Sequence, residues 1–110
     1  MRLDFVYLPV SDLRGALALY RDQLGFDELW REGEGTVGLG IPGSDTALMI
    51  DADAVPGSGP VFGVERVDAW LAGQEGLDVV LPPSEIPGGH IMGFRDAAGN
   101  HVYVLDQAGA

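Results

Sequence analysis

The sequence predicts an α+β fold: two βαβββ modules forming a half-closed curved sheet around a groove, with the helices on the outer faces. Three observations lead there. A single Gly-, Pro-, Ser- and Asp-rich stretch, "DADAVPGSGP", falls near the middle of the chain and reads as a loop. The segments before and after it show the same order of strand, helix and three further strands. The two halves also align with each other at both their opening and closing elements.

The first module, about residues 1–52, opens with a strand over Leu3 to Val10, with Phe5 and Tyr7 on one face and Val6, Leu8 and Val10 on the other. "SDLRGALALYRDQLG" is helical: Ser11 or Asp12 can cap its start, and Leu13, Leu17, Tyr20 and Leu24 form one apolar stripe. Gly25 suits the left-handed position that ends a helix. A strand follows over Phe26 to Arg31. "TVGLGI" turns Val37, Leu39 and Ile41 to one face, and the turn "PGSD" leads to "TALMID". After a linker of about residues 53–58, the second module, about 59–110, repeats the plan. "GPVFGV" is a strand, and "ERVDAWLAGQEG" is a short helix with Val67, Trp70 and Leu71 inward. "LDVVLP", "HIMGFR" and "HVYVLD" are strands. "PPSEIPGGH" reads as a loop over the groove, stiffened by Pro82, Pro83 and Pro87.

The internal alignment sets Phe5 against Gly59, Leu8 against Phe62, Val10 against Val64, Leu13 against Val67 and Leu17 against Leu71. At the closing end it sets Gly38 against Gly93, Leu39 against Phe94, Leu48 against Tyr103 and Asp51 against Asp106.

At 110 residues and 46% hydrophobic content, the chain is one domain with one core's worth of apolar side chains. A sizeable ligand site is therefore a groove, or is completed by a second subunit. No cysteine is present, which removes disulfides, thiol nucleophiles and zinc ribbons. With 17 acidic and 6 basic residues the formal charge is −11, a surface that repels nucleic acid and anionic membranes and favours cations. Acidity of this kind also simply maintains solubility. The opening residues lack the pattern of a signal peptide, and no apolar run approaches a membrane span, so the expectation is a soluble cytoplasmic protein. No Gly-x-Ser-x-Gly elbow occurs, and "GEGTVGLG" lacks the lysine and the context of a phosphate loop.

"VSDLRGALALYRDQLGF" resembles the first helix of the vicinal oxygen chelate superfamily, which contains glyoxalase I, extradiol dioxygenases and the bleomycin-resistance proteins. Leu19-Tyr20 stands for its Phe-Tyr, and Leu24-Gly25-Phe26 matches its Leu-Gly-Phe. "FRDAAGNHVYVLD" resembles the closing Phe-x-Asp-Pro-x-Gly-Asn motif, with Ala97 in place of proline. "VFGVERVDAWL" looks like the strand and helix that open the family's second half. The resemblance covers the whole chain and is specific for the fold, not for an activity.

The resemblance implies a divalent ion held by His and Glu at four places in the metal-dependent members. Here those places are Phe5, Leu48, Gly59 and Tyr103. Phenylalanine and leucine have no lone pair, glycine has no side chain, and a neutral phenol is a poor ligand. No metal and no other cofactor is expected. His90 and His101 with Asp51 or Glu65 are the one alternative ligand set, although a lone strand histidine is more often an exposed polar residue.

The expected ligand groove is lined by Phe5, Tyr7, Trp30, Met49, His90, Met92, His101 and Tyr103. Aromatic faces stack on planar ligands and attract cations, and thioethers adapt to irregular shapes. This matches the metal-free, bleomycin-resistance-like branch, which sequesters flat, often cationic antibiotics. Three readings stay open: a metal-independent binding protein, a lyase, isomerase or dioxygenase-like enzyme with a non-standard site, and an interaction module without a ligand. The family resemblance and the short chain also imply a homodimer.

Overall fold

The computed structural model describes residues 1–52 and 57–107. The expected linker falls on residues 53–58, of which 53–56 lie outside the described residues. The chain divides into two compact units. One is Asp4–Ser58; the other is Gly59–Ala110 together with Met1–Leu3.

In the first unit the strands are β1 (Arg2–Pro9), β2 (Asp27–Glu32), β3 (Thr36–Gly40) and β4 (Ala47–Asp51), arranged in the order β2-β3-β4-β1. The outer pairs β2–β3 and β3–β4 are antiparallel, and β4 runs parallel to β1. A parallel pair needs a crossover, and the helical segment between β1 and β2 begins it. That segment starts as α1 (Leu13–Leu17) and widens into a π-helical stretch over Ala18–Gln23, closed by the Leu24 N–H on the Leu19 carbonyl. The expected helix is therefore present but not uniform. Its change of pitch swings Leu24 off the apolar stripe and leaves it exposed, while Leu13, Leu17 and Tyr20 remain packed. Asp12 occupies the N-cap position in extended conformation, and its side chain makes no cap hydrogen bond. Gly25 has φ +80°, the left-handed geometry expected there.

The core of this unit lies between helix and sheet: Leu17, Val37, Leu39, Leu48 and Ile50, with Val6, Leu8, Val10 and Ile41 packed against them. Alternation along the strands then sends Phe5, Tyr7, Gly38, Met49 and Asp51 to the opposite face.

The second unit repeats the arrangement with β5 (Gly59–Gly63), α2 (Val67–Ala72), β6 (Asp78–Ile86), β7 (Gly89–Arg95) and β8 (His101–Gln107), in the order β5-β8-β7-β6. Val67, Met92 and Val104 form its helix-side core with Val64, Trp70, Leu71 and Phe94. Trp70 stacks on Phe94 with ring centres 5.9 Å apart. The α+β class and the two βαβββ modules are thus as expected.

One segment departs from expectation. "PPSEIPGGH" is not a loop over a groove. Its first part continues β6, which pairs with β7 as far as Ile86 opposite Gly89. Prolines cannot donate to a ladder but are tolerated on an edge strand, and β6 is the edge. The register shifts between Val79 and Leu81 and again between Leu81 and Ser84, where the prolines interrupt regular pairing. Gly88, at φ +82°, makes the turn.

Candidate functional site

The first unit gathers four of the expected groove residues on the sheet face away from the helix. Tyr7 lies opposite Met49 in the β1–β4 ladder, and Met49 lies opposite Gly38 in the β4–β3 ladder. Trp30 lies opposite Gly38 from β2, just past a bulge at Glu28. Its indole covers the glycine so closely that an added Cβ would meet the ring at 2.2 Å. Phe5 meets Trp30 edge-to-face, with ring centres 5.9 Å apart and planes at 88°. Phe5, Trp30 and Met49 are half-buried, so part of each ring or thioether remains open to contact.

On the same sheet face, two residues past Met49 on β4, lies a polar group that the sequence offers as a member of the alternative metal set. Asp51, at the end of β4, is buried with 8% exposure. It accepts a short hydrogen bond from the Tyr7 hydroxyl and a second from Thr36 Oγ1 at 3.1 Å. A buried carboxylate is stable only when hydrogen-bonded, and these donors fix its two oxygens. Thr36, opposite Asp51 in the β3–β4 ladder, was not anticipated. Its signal was its register, which sequence alone does not supply.

In the second unit Tyr103 and His101 share one face, and Tyr103 lies directly opposite Gly93. The ring rests against that glycine, where an added Cβ would be 2.9 Å from it. Tyr103 is 1% exposed, and burial pushes its phenol above the ordinary tyrosine value. His90 and Met92 do not share this face. They alternate with Gly93 along β7 and therefore turn to the helix side. There Met92 is fully buried against Val67 and Val104. His90 is exposed and lines an open cleft of about 430 Å³ with Glu65, Arg66, Asp68, Pro83 and Asp106. The expected places of His90 and Met92 in the groove are therefore corrected: residues of even number on β7 face α2.

The last-strand pairs of the internal alignment shift by one residue. Leu48, set against Tyr103 in the sequence, belongs to the helix-side core. The residue that occupies Tyr103's place in the first ladder is Met49: both are bonded across to a glycine, Gly38 and Gly93 respectively. Likewise Asp51 corresponds to Leu105 by its ladder position, not to Asp106. Asp106 instead turns to the helix side, where it accepts the Val67 N–H at 2.6 Å and the His90 N–H at 3.0 Å.

The closing motif has a structural role. The Asp96 carboxylate accepts the backbone N–H groups of Ala98 and Asn100 at 2.9 and 2.8 Å and the Asn100 side-chain amide at 3.0 Å. Gly99, at φ +89°, completes the turn. Asn100 and these N–H groups hold the Asp96 carboxyl below its ordinary range.

The four ligand positions implied by the family resemblance do not fit a divalent ion. Phe5 has no donor atom, and neither Leu48 nor its structural replacement Met49 offers a hard one. Burial raises the Tyr103 phenol further and so disfavours the ionised form that a metal would need. Gly59 is excluded more firmly: a Cβ there would lie 2.0 Å from the His101 carbonyl oxygen, so the backbone itself fills the space a ligating side chain would need. Among the described residues, no group of three or more His, Asp or Glu side chains is placed to hold a metal ion.

Two βαβββ units, each carrying a helix on one sheet face and a polar or aromatic cluster on the other, define a class of small α+β proteins. A family model, "Glyoxalase/Bleomycin resistance protein/Dioxygenase superfamily", matches residues 2–104, and the chain belongs to that superfamily. Solved structures agree on the fold. A methylmalonyl-CoA epimerase from Mycobacterium tuberculosis is 26% identical, with a TM-score of 0.69 over 97% of this chain and 88% of that one. A Streptomyces coelicolor methylmalonyl-CoA epimerase variant is 21% identical, with a TM-score of 0.78 over 100% and 96%. A superfamily member from Vibrio splendidus 12B01 is 13% identical, with a TM-score of 0.68 over 94% and 96%. No curated protein matches the sequence. No helix among the described residues is long and apolar enough to cross a membrane.

Proposed function

We propose that the chain is a metal-independent binding protein for a small, flat, aromatic or cationic molecule, of the kind that sequesters an antibiotic in the bleomycin-resistance branch. One observation carries this reading: the Gly59 position cannot accept a side chain without moving the His101 carbonyl. The familiar chelating set would therefore need a backbone shift at Gly59 as well as new side chains at the other three positions. The half-open Phe5–Trp30 pair supplies a stacking surface. Met49 beside it is adaptable, and the surface charge of −11 draws cations toward the protein. The reading includes a cytoplasmic homodimer in which a second chain helps enclose the ligand. Titration with a panel of planar cations, followed by Trp30 fluorescence in the Trp70→Phe background, tests it. Saturable quenching by at least one member is expected, and no response across the panel contradicts it.

A second reading is an isomerase that moves a proton without the usual metal set. It is favoured by the 26% identity to an epimerase and by the buried Asp51 carboxylate bonded to Tyr7. Incorporation of deuterium from heavy water into an acyl thioester, abolished by Asp51→Asn, would favour it over simple binding.

A further inference from the structure

Away from the aromatic face, the helical side of the first unit carries an open cleft of about 450 Å³ lined by Leu13, Arg14, Leu17, Ala18, Arg21 and Arg31, with Asp22 beside them. The chain has 6 basic residues against 17 acidic ones, and all six are arginines. Three of them meet here. Such a concentration runs against the field of the rest of the surface, which disperses anions.

The arginines are not equivalent. Arg21 and Arg31 both donate to the same carboxylate oxygen: Arg21 Nη1 reaches Glu28 Oε1 at 3.0 Å and Arg31 Nη2 reaches it at 2.7 Å. Arg31 Nε adds a bond to Glu28 Oε2 at 3.3 Å, and Arg21 Nε bonds Asp22 at 2.9 Å. Two guanidinium groups are thus already focused on one oxyanion, in the fork geometry that suits carboxylate or phosphate. Arg14 makes no ion pair or side-chain hydrogen bond among the described residues. It lies seven residues before Arg21 on the same helical segment, with Leu17 and Ala18 between.

We propose that this cleft is a second ligand site, one that takes a small organic oxyanion. The carboxylate or phosphate head is held by Arg21 and Arg31 in competition with Glu28. The apolar body lies over Leu13, Leu17 and Ala18, and Arg14 meets a second polar or anionic end. The site is independent of the aromatic face and uses none of its residues.

Glu28 makes the proposal testable in a way that a purely structural ion-pair cluster does not share. The probes are inorganic phosphate and a straight-chain dicarboxylate, titrated separately into the full chain at low salt. The readout is the arginine Nε–Hε signals in nitrogen–proton correlation spectra. Saturable shifts confined to Arg14, Arg21 and Arg31 are expected. Response to the dicarboxylate alone assigns a carboxylate ligand that needs the apolar span; response to both assigns a head-group site open to phosphate. Glu28→Gln removes the internal competitor and should tighten binding by roughly 10-fold, whereas Arg14→Gln should weaken the dicarboxylate about 10-fold and phosphate little. Shifts of equal size at Arg2, Arg66 and Arg95, no saturation, or weaker binding in a folded Glu28→Gln variant would each overturn the proposal.

Discussion

The two units share one ladder plan and use it differently. In each, a glycine on the third strand of the module lies opposite a larger side chain on the fourth: Gly38 faces Met49, and Gly93 faces Tyr103. In each, that glycine also lies under an aromatic ring. In the first unit the ring is Trp30, from the neighbouring edge strand; in the second it is Tyr103 itself. The result is a half-open aromatic surface in one unit and a fully buried tyrosine in the other. The acids diverge in the same manner. Asp51 stays on the face of Tyr7 and Thr36, while Asp106, one residue later in its own strand, turns to the helix side and bonds the first N–H of α2. A repeated backbone thus leaves the aromatic pair of one unit half-exposed and buries the tyrosine of the other, with Asp106 turned to hold the start of α2.

The largest effect that tests this contrast is at the paired positions Phe5 and Gly59. Gly59→Ala places a methyl 2.0 Å from the His101 backbone carbonyl oxygen. It should cost about 3 kcal/mol or leave the chain unfolded. Phe5→Ala removes a half-buried ring and should cost about 1–2 kcal/mol. Urea denaturation of both variants measures the difference, and equal costs would break the asymmetry.

Next comes the pair of acids. Tyr7→Phe takes a donor from buried Asp51 and should destabilise by about 1–3 kcal/mol. Asp106→Asn weakens two bonds from backbone N–H groups, and its loss should fall in the lower part of that range. Only the Tyr7 variant should alter binding at the aromatic face.

Gly38→Ala should displace the Trp30 indole without disturbing the ladder, since the nearest atoms belong to a side chain. The expected result is a shifted Trp30 emission and roughly 10-fold weaker binding of a planar ligand, with stability lowered by about 1–2 kcal/mol.

The smallest effect concerns the closing turn. Because Asn100 and neighbouring N–H groups hold the Asp96 carboxyl below its unfolded value, the turn's contribution is complete above about pH 3.9. It is lost as pH falls through the lower folded value. Asp96→Asn should remove that part of the acid dependence, visible as a shallower decline in melting temperature below pH 4.

The fold was legible because its signals are local. Alternation marked the strands, Gly25 marked a helix end, and the Asp96–Asn100 turn had its own chemistry. What was misread depends on register. The face on which His90, Met92 and Leu48 lie is set by which residue stands opposite Gly38 or Gly93, and one step along a strand reverses it. Asp51 was visible as a residue but not as a role, because its partners Tyr7 and Thr36 come from two other strands. The extension of β6 through Pro82 and Pro83 was hidden because an edge strand tolerates what a central strand forbids. The π-helical widening after Leu17 has no marker in the composition of "ALYRDQ".

On the proposed reading, the aromatic face binds its ligand without a metal. The direct test is titration of the Trp70→Phe protein with a quenching planar cation, before and after exhaustive chelation of divalent ions. An unchanged affinity is predicted. Quenching lost on chelation and restored by stoichiometric iron, zinc, nickel or manganese would contradict the account.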